Sequence, residues 1–261
     1  MTLLEGKVVL VSGVGPGLGT STVRAVLDAG GRAVLADAVG DRVASIRSEL
    51  DASGSSTVAV ACDIRSVDDC RRAVAAASDT FGRLDGVVHV AAVDNSLGGL
   101  DGPALDEWPL VQSVNVEGTL QLTREALPLL TSAGGSVVVI GSVAAVRPRR
   151  GSLRLAYGMS KAALGAAVRY LAEELGPDAV RVNNVAPGFK YGPVVQRFFD
   201  SEAVRLGTSA DEVAATYREE LALPDFATDE DVAHTVVFFL SDWSRAITGQ
   251  TIYVDGGFVM T

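Results

Sequence analysis

The chain has 261 residues, 48% of them hydrophobic, and it carries a formal net charge of −10 with an isoelectric point near 4.7. This length allows a sizeable core within one α/β domain. An acidic chain without a run of Lys or Arg lacks the charge pattern of proteins that bind nucleic acid or an anionic membrane, so we expect neither partner.

No apolar segment reaches the roughly 20 residues that a membrane span requires, and the first residues do not form a charged and then apolar leader. We therefore expect a soluble, cytoplasmic protein. The two cysteines, Cys62 and Cys70, lack the spacing of a metal or redox motif and are expected to be reduced thiols. Only two histidines, His89 and His234, are present, so we expect no metal site.

The first predicted strand, residues 7–12, is followed by a glycine-rich loop, residues 13–19, and then by a helical pattern. A dinucleotide site requires this order, because glycines let the backbone approach a diphosphate and the helix start favours its negative charge. A tight turn alone is the alternative explanation of the glycines. The residues expected to contact the cofactor are Gly13, Gly17, Leu18 and Gly19.

The second predicted strand, residues 32–36, runs into Asp37, which lies 18 residues after Gly19. This is near the distance at which an acidic side chain meets the adenosine ribose. A carboxylate there accepts hydrogen bonds from both ribose hydroxyls and repels a 2′-phosphate, and no basic residue is evident that would receive that phosphate. We therefore expect NAD(H) rather than NADP(H). The alternative is an aspartate that caps a helix or a loop.

The third predicted strand, residues 57–61, leads to Asp63 and Ile64, which could flank the adenine ring with a carboxylate and an apolar wall. Ser66 is the expected N-cap of the following helix.

The fourth predicted strand, residues 84–92, ends in Val90, Ala91 and Ala92. Small residues at the carboxyl end of a strand leave room for a ligand, so we expect these three to border the cofactor.

A long helical region is expected from about residue 105 to residue 130, and it contains Asn115 in apolar surroundings. A side-chain amide in that setting needs a hydrogen-bond partner. The fifth strand, residues 136–140, is followed by Ser142, at the edge where open α/β sheets hold their ligands.

Tyr157 and Lys161 stand four residues apart at the start of an apolar-striped helical segment, so they share one helix face. An ammonium close to a phenol favours the phenolate and brings the phenol pKa towards neutral pH. The pair is a candidate proton-transfer device, and the alternative is a chance surface pair.

A sixth strand is predicted at residues 180–186 and a seventh at residues 250–254, with a helix at 228–240 between them. Residues 189–227 break the alternation and are rich in aromatic side chains, so we interpret them as a substrate-covering insertion with short helices. Seven strands separated by helices predict a single-domain, Rossmann-type, doubly wound parallel sheet with helices on both faces, over residues 1–261.

Several motifs follow one another along the chain: Ser12-Gly13-x-x-x-Gly17-x-Gly19, Asp63, Asn115 in Asn-Val-x-Gly, Ser142, Tyr157-x-x-x-Lys161, Pro187-Gly188, and Ile247-Thr248-Gly249-Gln250 followed by Val254-Asp255-Gly256-Gly257. With these motifs in this order, the chain resembles the single-domain short-chain dehydrogenase/reductase family over nearly its whole length.

The resemblance implies that Tyr157 exchanges a proton with the substrate oxygen while Ser142 hydrogen-bonds the same oxygen. It also implies that Lys161 holds the nicotinamide ribose and lowers the pKa of Tyr157, and that Asn115 supports a water that relays protons to Lys161. The implied reaction is the reversible oxidation of an alcohol with NAD. Family members commonly form tetramers or dimers through the helices that carry Asn115 and Tyr157, so we expect a homotetramer or homodimer.

In this family the Pro-Gly pair and the residues after it cradle the nicotinamide carboxamide, which implies cofactor contacts from Pro187, Gly188 and Phe189. Lys190 and Gly192 replace the usual apolar residue and Thr, so we expect looser or differently arranged nicotinamide binding.

A second departure from the family pattern starts at His89, where this chain has His-Val-Ala-Ala and most members have Asn-Asn-Ala-Gly. We expect His89 to be a structural hydrogen-bonding group. A third departure is the segment before Tyr157, which carries Arg147, Arg149 and Arg150; it either binds an acidic substrate or is a solvated loop.

The leading hypothesis is an NAD-dependent secondary-alcohol dehydrogenase with a small-molecule substrate that is apolar or cyclic, of the hydroxysteroid, terpenol or diol class. One alternative is a 3-oxoacyl thioester reductase, which NADPH use would favour. Another is a catalytically silent dinucleotide-binding module, which would not need the full set of Asn115, Ser142, Tyr157 and Lys161.

Overall fold

The computed structural model describes residues 2–94, 97–149, 152–190 and 192–260. Within these residues the strands are β1 (Val8–Ser12), β2 (Arg32–Asp37), β3 (Thr57–Ala61), β4 (Gly86–His89), β5 (Ser136–Ile140), β6 (Arg181–Pro187) and β7 (Thr251–Val254). They pair in parallel throughout, in the order β3-β2-β1-β4-β5-β6-β7. The predicted doubly wound sheet is confirmed.

Helices connect the strands. Those in the described part of the chain are α1 (Leu18–Asp28), α2 (Gly40–Leu50), α3 (Val67–Phe81), α4 (Trp108–Gln112), α5 (Thr119–Ala133), α6 (Leu155–Leu175), α7 (Pro193–Leu206), α8 (Ala210–Arg218) and α9 (Asp229–Leu240). A π-helical turn, Ser113–Gly118, joins α4 to α5. None of these helices has the length and apolar composition needed to cross a bilayer.

Strand β1 shows why the sheet has helices on both faces. Val8 and Leu10 belong to the apolar cluster formed with α3, α5 and α6, whereas Val9 and Val11 belong to the cluster formed with α1, α2 and α9. All four side chains are at most 1% exposed. Continuous apolar runs of this kind are typical of parallel strands that are buried on both faces.

The direction of winding reverses between β1 and β4, which lie side by side at the centre of the sheet. Open α/β sheets form a ligand crevice at such a point, beyond the carboxyl ends of the strands. Here the two chains come so close that a Cβ at Gly13 would lie 2.3 Å from the backbone nitrogen of Ala91. Gly13 also has φ +81°, so both its surroundings and its backbone conformation require glycine.

Two predicted elements have a boundary about three residues from that in the structure, and several other strand ends differ by one or two residues. Strand β4 ends at His89 rather than at residue 92, because the N–H groups of Val90 and Ala91 both donate to the carbonyl oxygen of Ser12 and turn the chain away from β5. The long helical region begins at Trp108 and contains the π-helical turn. The predicted N-cap Ser66 is confirmed, since its side chain accepts a hydrogen bond from the N–H of Asp69 at 3.3 Å.

The segment 189–227 contains α7 and α8 and has an apolar cluster of its own. Phe199 is fully buried at the centre of this cluster, with its ring centroid 5.4 Å from that of Tyr217 and 5.7 Å from that of Phe226. A parallel backbone bridge between Lys190 and Ala227 joins the two ends of the segment. The segment is therefore closed on itself rather than woven into the sheet, and we refer to it as the lid segment.

Replacing Phe199 with Ala should destabilise the lid segment by about 3–5 kcal/mol, because a large cavity would open in its cluster. Hydrogen exchange should then show faster exchange of amides in α7 and α8, with little change in β1 and β5. Leu206→Ala, at a side chain that is 56% exposed, is the matched control and should change neither. Equal loss of protection in the sheet would show that the lid segment does not behave as a separate unit.

Candidate active site

A cavity of about 960 Å³ lies at the carboxyl edge of the sheet. Most residues that the sequence assigns to a site line it, namely Gly13, Gly17, Leu18, Gly19, Val90, Ala92, Ser142, Tyr157, Lys161, Pro187, Gly188 and Phe189. The other assigned residues do not line this cavity, namely Asp37, Asp63, Ile64, Ala91 and Asn115.

The glycine loop forms a backbone cradle on one wall of the cavity. A Cβ at Gly19 would lie 2.3 Å from the carbonyl oxygen of Gly13, and Gly17 has φ +96°, so the loop cannot carry side chains at these positions. Helix α1 begins directly after Gly17, which supplies no side-chain cap. The N–H groups of Leu18 and Gly19 in its first turn have no acceptor within the helix, so they suit the diphosphate of a dinucleotide.

Asp37 lies at the carboxyl end of β2, and its side chain is 7% exposed. Its Oδ1 accepts hydrogen bonds from the N–H of Val39 at 2.9 Å and from the guanidinium of Arg42 at 2.5 Å. Among the described residues these hydrogen bonds fall on Oδ1, which leaves Oδ2 for a ribose hydroxyl. The carboxylate is thus fixed at the end of β2, and its contact with an adenosine ribose stays a prediction.

Arg42 corrects one expectation, because the sequence showed no basic residue placed to receive a 2′-phosphate. Its guanidinium contacts Asp37, and its Nε lies 3.8 Å from the position that a Cβ on Gly15 would occupy. The side chain is 42% exposed. A cation therefore stands beside the carboxylate at the ribose end of the glycine loop, where local sequence spacing gave no sign of it.

Asp63 and Ile64 are engaged elsewhere. The carboxylate of Asp63 pairs with Arg65, at 2.6 Å from Oδ2 to Nη2, and this pairing lowers the pKa of Asp63. Ile64 is 4% exposed and packs in the core against Gly118 of the π-helical turn. The side chain of Ile64 therefore does not form the predicted apolar wall of this cavity, and adenine contacts from these two residues remain a prediction.

Tyr157 and Ser142 face the same cavity from neighbouring elements. Tyr157 lies in the first turn of α6, and Ser142 follows β5 in an extended conformation. The Oγ of Ser142 accepts a hydrogen bond from the N–H of Ala144 at 3.1 Å, which leaves its own proton free to be donated. Two hydroxyl groups are thereby directed at one region of the cavity.

Lys161 lies one helical turn after Tyr157 and is 2% exposed. Its Nζ donates a hydrogen bond to the carbonyl oxygen of Ile140 at 2.7 Å and lies 5.6 Å from the centroid of the Tyr157 ring. Burial lowers the pKa of Lys161 to about 8, because removal from water disfavours the charged form.

The phenol of Tyr157 behaves differently from the expectation. Burial raises its pKa above the ordinary value of 10, and the nearby carboxylate of Asp94 adds to the rise, while a hydrogen bond with Ser142 and the charge of Arg154 oppose it. The predicted net lowering of the Tyr157 pKa is not found in this geometry, because desolvation of the phenolate outweighs the hydrogen bond with Ser142 and the charge of Arg154.

Asn115 lies in the π-helical turn, a rare irregularity that often occurs at functional sites. Its Oδ1 accepts from the N–H of Val93 at 2.7 Å, and its Nδ2 donates to the carbonyl of Val93 at 3.1 Å and to the Oγ of Ser160 at 2.9 Å. Ser160 in turn donates to the carbonyl of Tyr157 at 2.7 Å. Asn115 thus ties the end of β4 to the helix that carries Tyr157, and its role in a water relay stays a prediction.

His89 is buried at the end of β4, and its Nε2 lies 2.8 Å from the Oγ1 of Thr123. Since Thr123 donates its own proton to the carbonyl of Thr119, Nε2 is the donor in this pair. Burial lowers the pKa of His89 to about 3, with a further contribution from Lys161, so the ring is neutral. The structural hydrogen bond expected of His89 is present.

Sequence reasoning missed an ion pair on the cavity wall, between Asp94 and Arg154. Burial raises the pKa of Asp94, and the charges of Arg154 and Lys161 counteract the rise. Asp94 lies shortly after β4, at the same edge of the sheet as Ser142, and that position was the signal that could have identified it. Arg154 comes directly before α6, and no local signal pairs it with Asp94.

The arginine-rich segment before α6 is held by the lid segment. Arg147 and Arg149 both pair with Glu220, and their guanidinium groups lie 3.7 Å from the ring centroid of Phe258 and 3.6 Å from that of Tyr217, respectively. These contacts occupy both cations, which speaks against binding of an acidic substrate. Arg150, the third arginine of that hypothesis, lies outside the described residues.

The described residues contain no group of three or more His, Cys, Asp or Glu side chains that could hold a metal ion. Cys62 and Cys70 are both buried and free.

Comparisons with known proteins agree with this geometry. A family model described as enoyl-(acyl carrier protein) reductase matches residues 13–259. A 7α-hydroxysteroid dehydrogenase of Bacteroides fragilis is 29% identical, over 98% of this chain and 96% of its own. A 3-oxoacyl-(acyl-carrier-protein) reductase of Thermotoga maritima is 28% identical, over 98% and 99%. The solved structure of a short-chain type dehydrogenase/reductase from Mycobacterium ulcerans is 31% identical, with a TM-score of 0.86, and the match covers 98% of this chain and 90% of that one.

Fold, glycine cradle and relatives together define an oxidoreductase that uses a nicotinamide dinucleotide and acts on CH–OH or carbonyl groups. More narrowly, the chain belongs to the short-chain dehydrogenase/reductase family, as its motifs predicted.

Replacing Lys161 with Met should abolish activity but stabilise the fold at neutral pH by about 2 kcal/mol, after allowance for the lost hydrogen bond to Ile140. Below pH 8 the folded and unfolded chains both hold the proton, so the folded state bears the whole cost of burial. Between pH 8 and the ordinary value of 10.5, the folded chain releases the proton first and the cost declines. Urea unfolding at pH 7 and at pH 10 measures this difference.

Lys7→Met is the control, because Lys7 precedes β1, pairs with Asp242 and does not line the cavity. A stabilisation of the Lys161 variant that stays constant from pH 7 to pH 10 would contradict the explanation by charge burial.

Proposed function

We propose that this protein is an NAD(H)-dependent oxidoreductase that interconverts a secondary alcohol and a ketone by hydride transfer. The observation that carries the proposal is that the hydroxyls of Tyr157 and Ser142 face the same cavity as the backbone cradle of the glycine loop. A dinucleotide seated in that cradle and a substrate oxygen held by the two hydroxyls would share one enclosed space.

In this proposal the nicotinamide, when bound, supplies or accepts the hydride. Tyr157 exchanges the proton of the substrate oxygen at its Oη, while Ser142 donates a hydrogen bond to that oxygen and fixes its position. Lys161, one turn along α6, would contact the cofactor ribose in this proposal. Asn115 holds the start of α6 through Ser160, so it acts on the geometry of Tyr157.

The cavity wall supports an apolar or cyclic substrate. Beyond Tyr157 it is lined by the apolar side chains of Val143, Leu153, Phe189, Val195, Phe198 and Phe258. The cavity wall also carries charged side chains, and among them the ion pair of Asp94 with Arg154 suits a substrate that also carries a hydroxyl group. The Bacteroides fragilis relative, by its name, acts on a hydroxysteroid, a molecule of this kind.

A second candidate is the reduction of a 3-oxoacyl thioester, and two observations favour it. The Thermotoga maritima relative is named for this activity, and Arg42 offers a cation to the 2′-phosphate of NADPH. Against it, Arg42 is paired with Asp37, whose carboxylate would repel that phosphate. A catalytically silent module is disfavoured because it would not require the arrangement of Ser142, Tyr157 and Lys161.

We also propose assembly as a homotetramer or homodimer through α5 and α6, where the side chain of Leu120 on α5 is 37% exposed. Light scattering of the purified protein would measure this. The cytoplasmic location stays a prediction from the sequence.

The function is tested by following NAD⁺ reduction with hydroxysteroids, terpenols, cyclic diols and 3-hydroxyacyl thioesters. With an accepted alcohol, the rate should rise about tenfold per pH unit from pH 7 to 9, because only the ionised phenol accepts the proton and its pKa is raised. Tyr157→Phe should lower the rate on the order of 10²- to 10⁴-fold and remove this pH dependence.

Tyr170→Phe, on the same helix but 79% exposed, is the control and should leave rate and pH dependence unchanged. Full activity of the Tyr157 variant with every accepted alcohol would refute the assigned mechanism.

Cofactor choice is tested by replacing Asp37 with Ser. The wild-type protein should prefer NAD⁺, and the variant should shift towards NADP⁺ by on the order of 10- to 100-fold, because it loses the repulsive carboxylate and frees Arg42 for the 2′-phosphate. The ratio of kcat/KM values for the two cofactors measures the shift. Adding Arg42→Ala should cancel the shift towards NADP⁺. Asp41→Ser, at an exposed aspartate on the helix that carries Arg42, is the control. Preference of the wild type for NADP⁺ would overturn the assignment of Asp37.

A further inference from the structure

Lys190 and Asp229 form an ion pair on the cavity wall, where the family pattern leads one to expect an apolar residue instead of a lysine. The Lys190 side chain is 25% exposed and that of Asp229 is 19% exposed. The backbone bridge of Lys190 to Ala227 fixes the start of this side chain beside the first turn of α9.

Asp229 lies at the opening of the glycine cradle. Its Oδ2 is 3.2 Å from the position that a Cβ on Gly17 would occupy, so the carboxylate approaches the N-terminus of α1. Helix α9 has Glu230 and Asp231 in its first turn as well, and Glu230 accepts a hydrogen bond from Ser21 of α1 at 3.2 Å. The cradle that suits a diphosphate is therefore bordered by negative charge.

A diphosphate and the carboxylate of Asp229 would repel each other in this partly buried site unless a cation lay between them. Of the other cations of the cavity wall, Arg147, Arg149 and Arg154 are paired with Glu220 or Asp94, and Arg197 of α7 is exposed. Lys161 donates to Ile140 on the opposite side. Lys190 is the cation that the structure holds against Asp229, next to the glycine loop.

We propose that Lys190 is a positioning residue for the cofactor and that its ammonium bridges the diphosphate and Asp229. The long, flexible lysine side chain keeps Asp229 as a partner while it presents its remaining N–H donors to the phosphate oxygens. Gly192 has no side chain that could donate a hydrogen bond to the diphosphate. Lys190, two residues earlier, supplies that donor. The diphosphate is common to NAD(H) and NADP(H), so the inference depends on neither the alcohol substrate nor the choice between these cofactors.

Binding of ADP-ribose, which carries the diphosphate but not the nicotinamide, tests the inference without turnover. Calorimetry with the full-length protein should show affinity at least tenfold weaker in Lys190→Met and within about threefold of wild type in Lys190→Arg, which keeps the charge. Asp229→Asn should bind ADP-ribose as well as wild type or better, because a repulsive charge is lost. NADH binding, followed by fluorescence, should change in the same order.

The double variant Lys190→Met/Asp229→Asn distinguishes direct contact of the Lys190 ammonium with the diphosphate from simple neutralisation of the Asp229 charge. If the ammonium contacts the diphosphate, the double variant stays weaker than Asp229→Asn by at least fivefold. Equal affinity of these two variants would overturn the proposal, and so would unchanged binding in Lys190→Met.

Lys7→Met and Asp242→Asn alter the remote pair of Lys7 with Asp242 at 2.5 Å and serve as matched controls with unchanged binding. If Lys190→Met does not fold, Lys190→Gln replaces it, and the quantity measured is the slope of its ADP-ribose affinity against salt concentration. It should be shallower than in wild type, and an equal slope would overturn the proposal.

Discussion

The close approach of β1 to the end of β4 is the constraint on which the site depends. Gly13 has no room for a side chain beside Ala91, and the carbonyl of Ser12 receives two N–H groups from the chain that leaves β4. Beyond this contact the loop after β1 and the loop after β4 diverge. The crevice lies between these two loops. The glycine cradle forms one wall and the start of α6 the other, and Asn115 joins the start of α6 to the segment after β4 through Ser160 and Val93.

Burial inside this crevice governs its electrostatics more than any single charge pair does. Desolvation raises the pKa of Tyr157 and Asp94 and lowers that of Lys161 and His89, so each group is shifted towards its neutral form. The motif spacing of Tyr157 and Lys161 predicts the opposite for the phenol, because it accounts for the ammonium but not for the absence of water. The protonation of this phenol therefore depends on its burial as well as on the charges around it.

Local sequence signals were sufficient to predict the elements that depend on interactions between neighbouring residues. The β-branched runs at 57–61 and 136–140 are strands with the predicted bounds, and Ser66 caps α3 as its residue type indicates. Two long-range contacts were not predicted. One is the hydrogen bond from the N–H of Ala91 to the carbonyl of Ser12, which shortens β4. The other is the ion pair of Arg154 with Asp94, 60 positions away. Motif order pointed to most of the assigned residues that line the cavity, whereas Asp37, Asp63, Ile64, Ala91 and Asn115 do not line it.

The lid segment has its own apolar cluster around Phe199 and is closed by a bridge between its ends, whereas the cradle shares its backbone with the centre of the sheet. Substitutions on the inner side of the lid segment therefore have little influence on the stability of the sheet, while those in the cradle have few permissible alternatives. Such a division would let a protein engineer exchange cavity-facing side chains of the lid segment without rebuilding the backbone cradle.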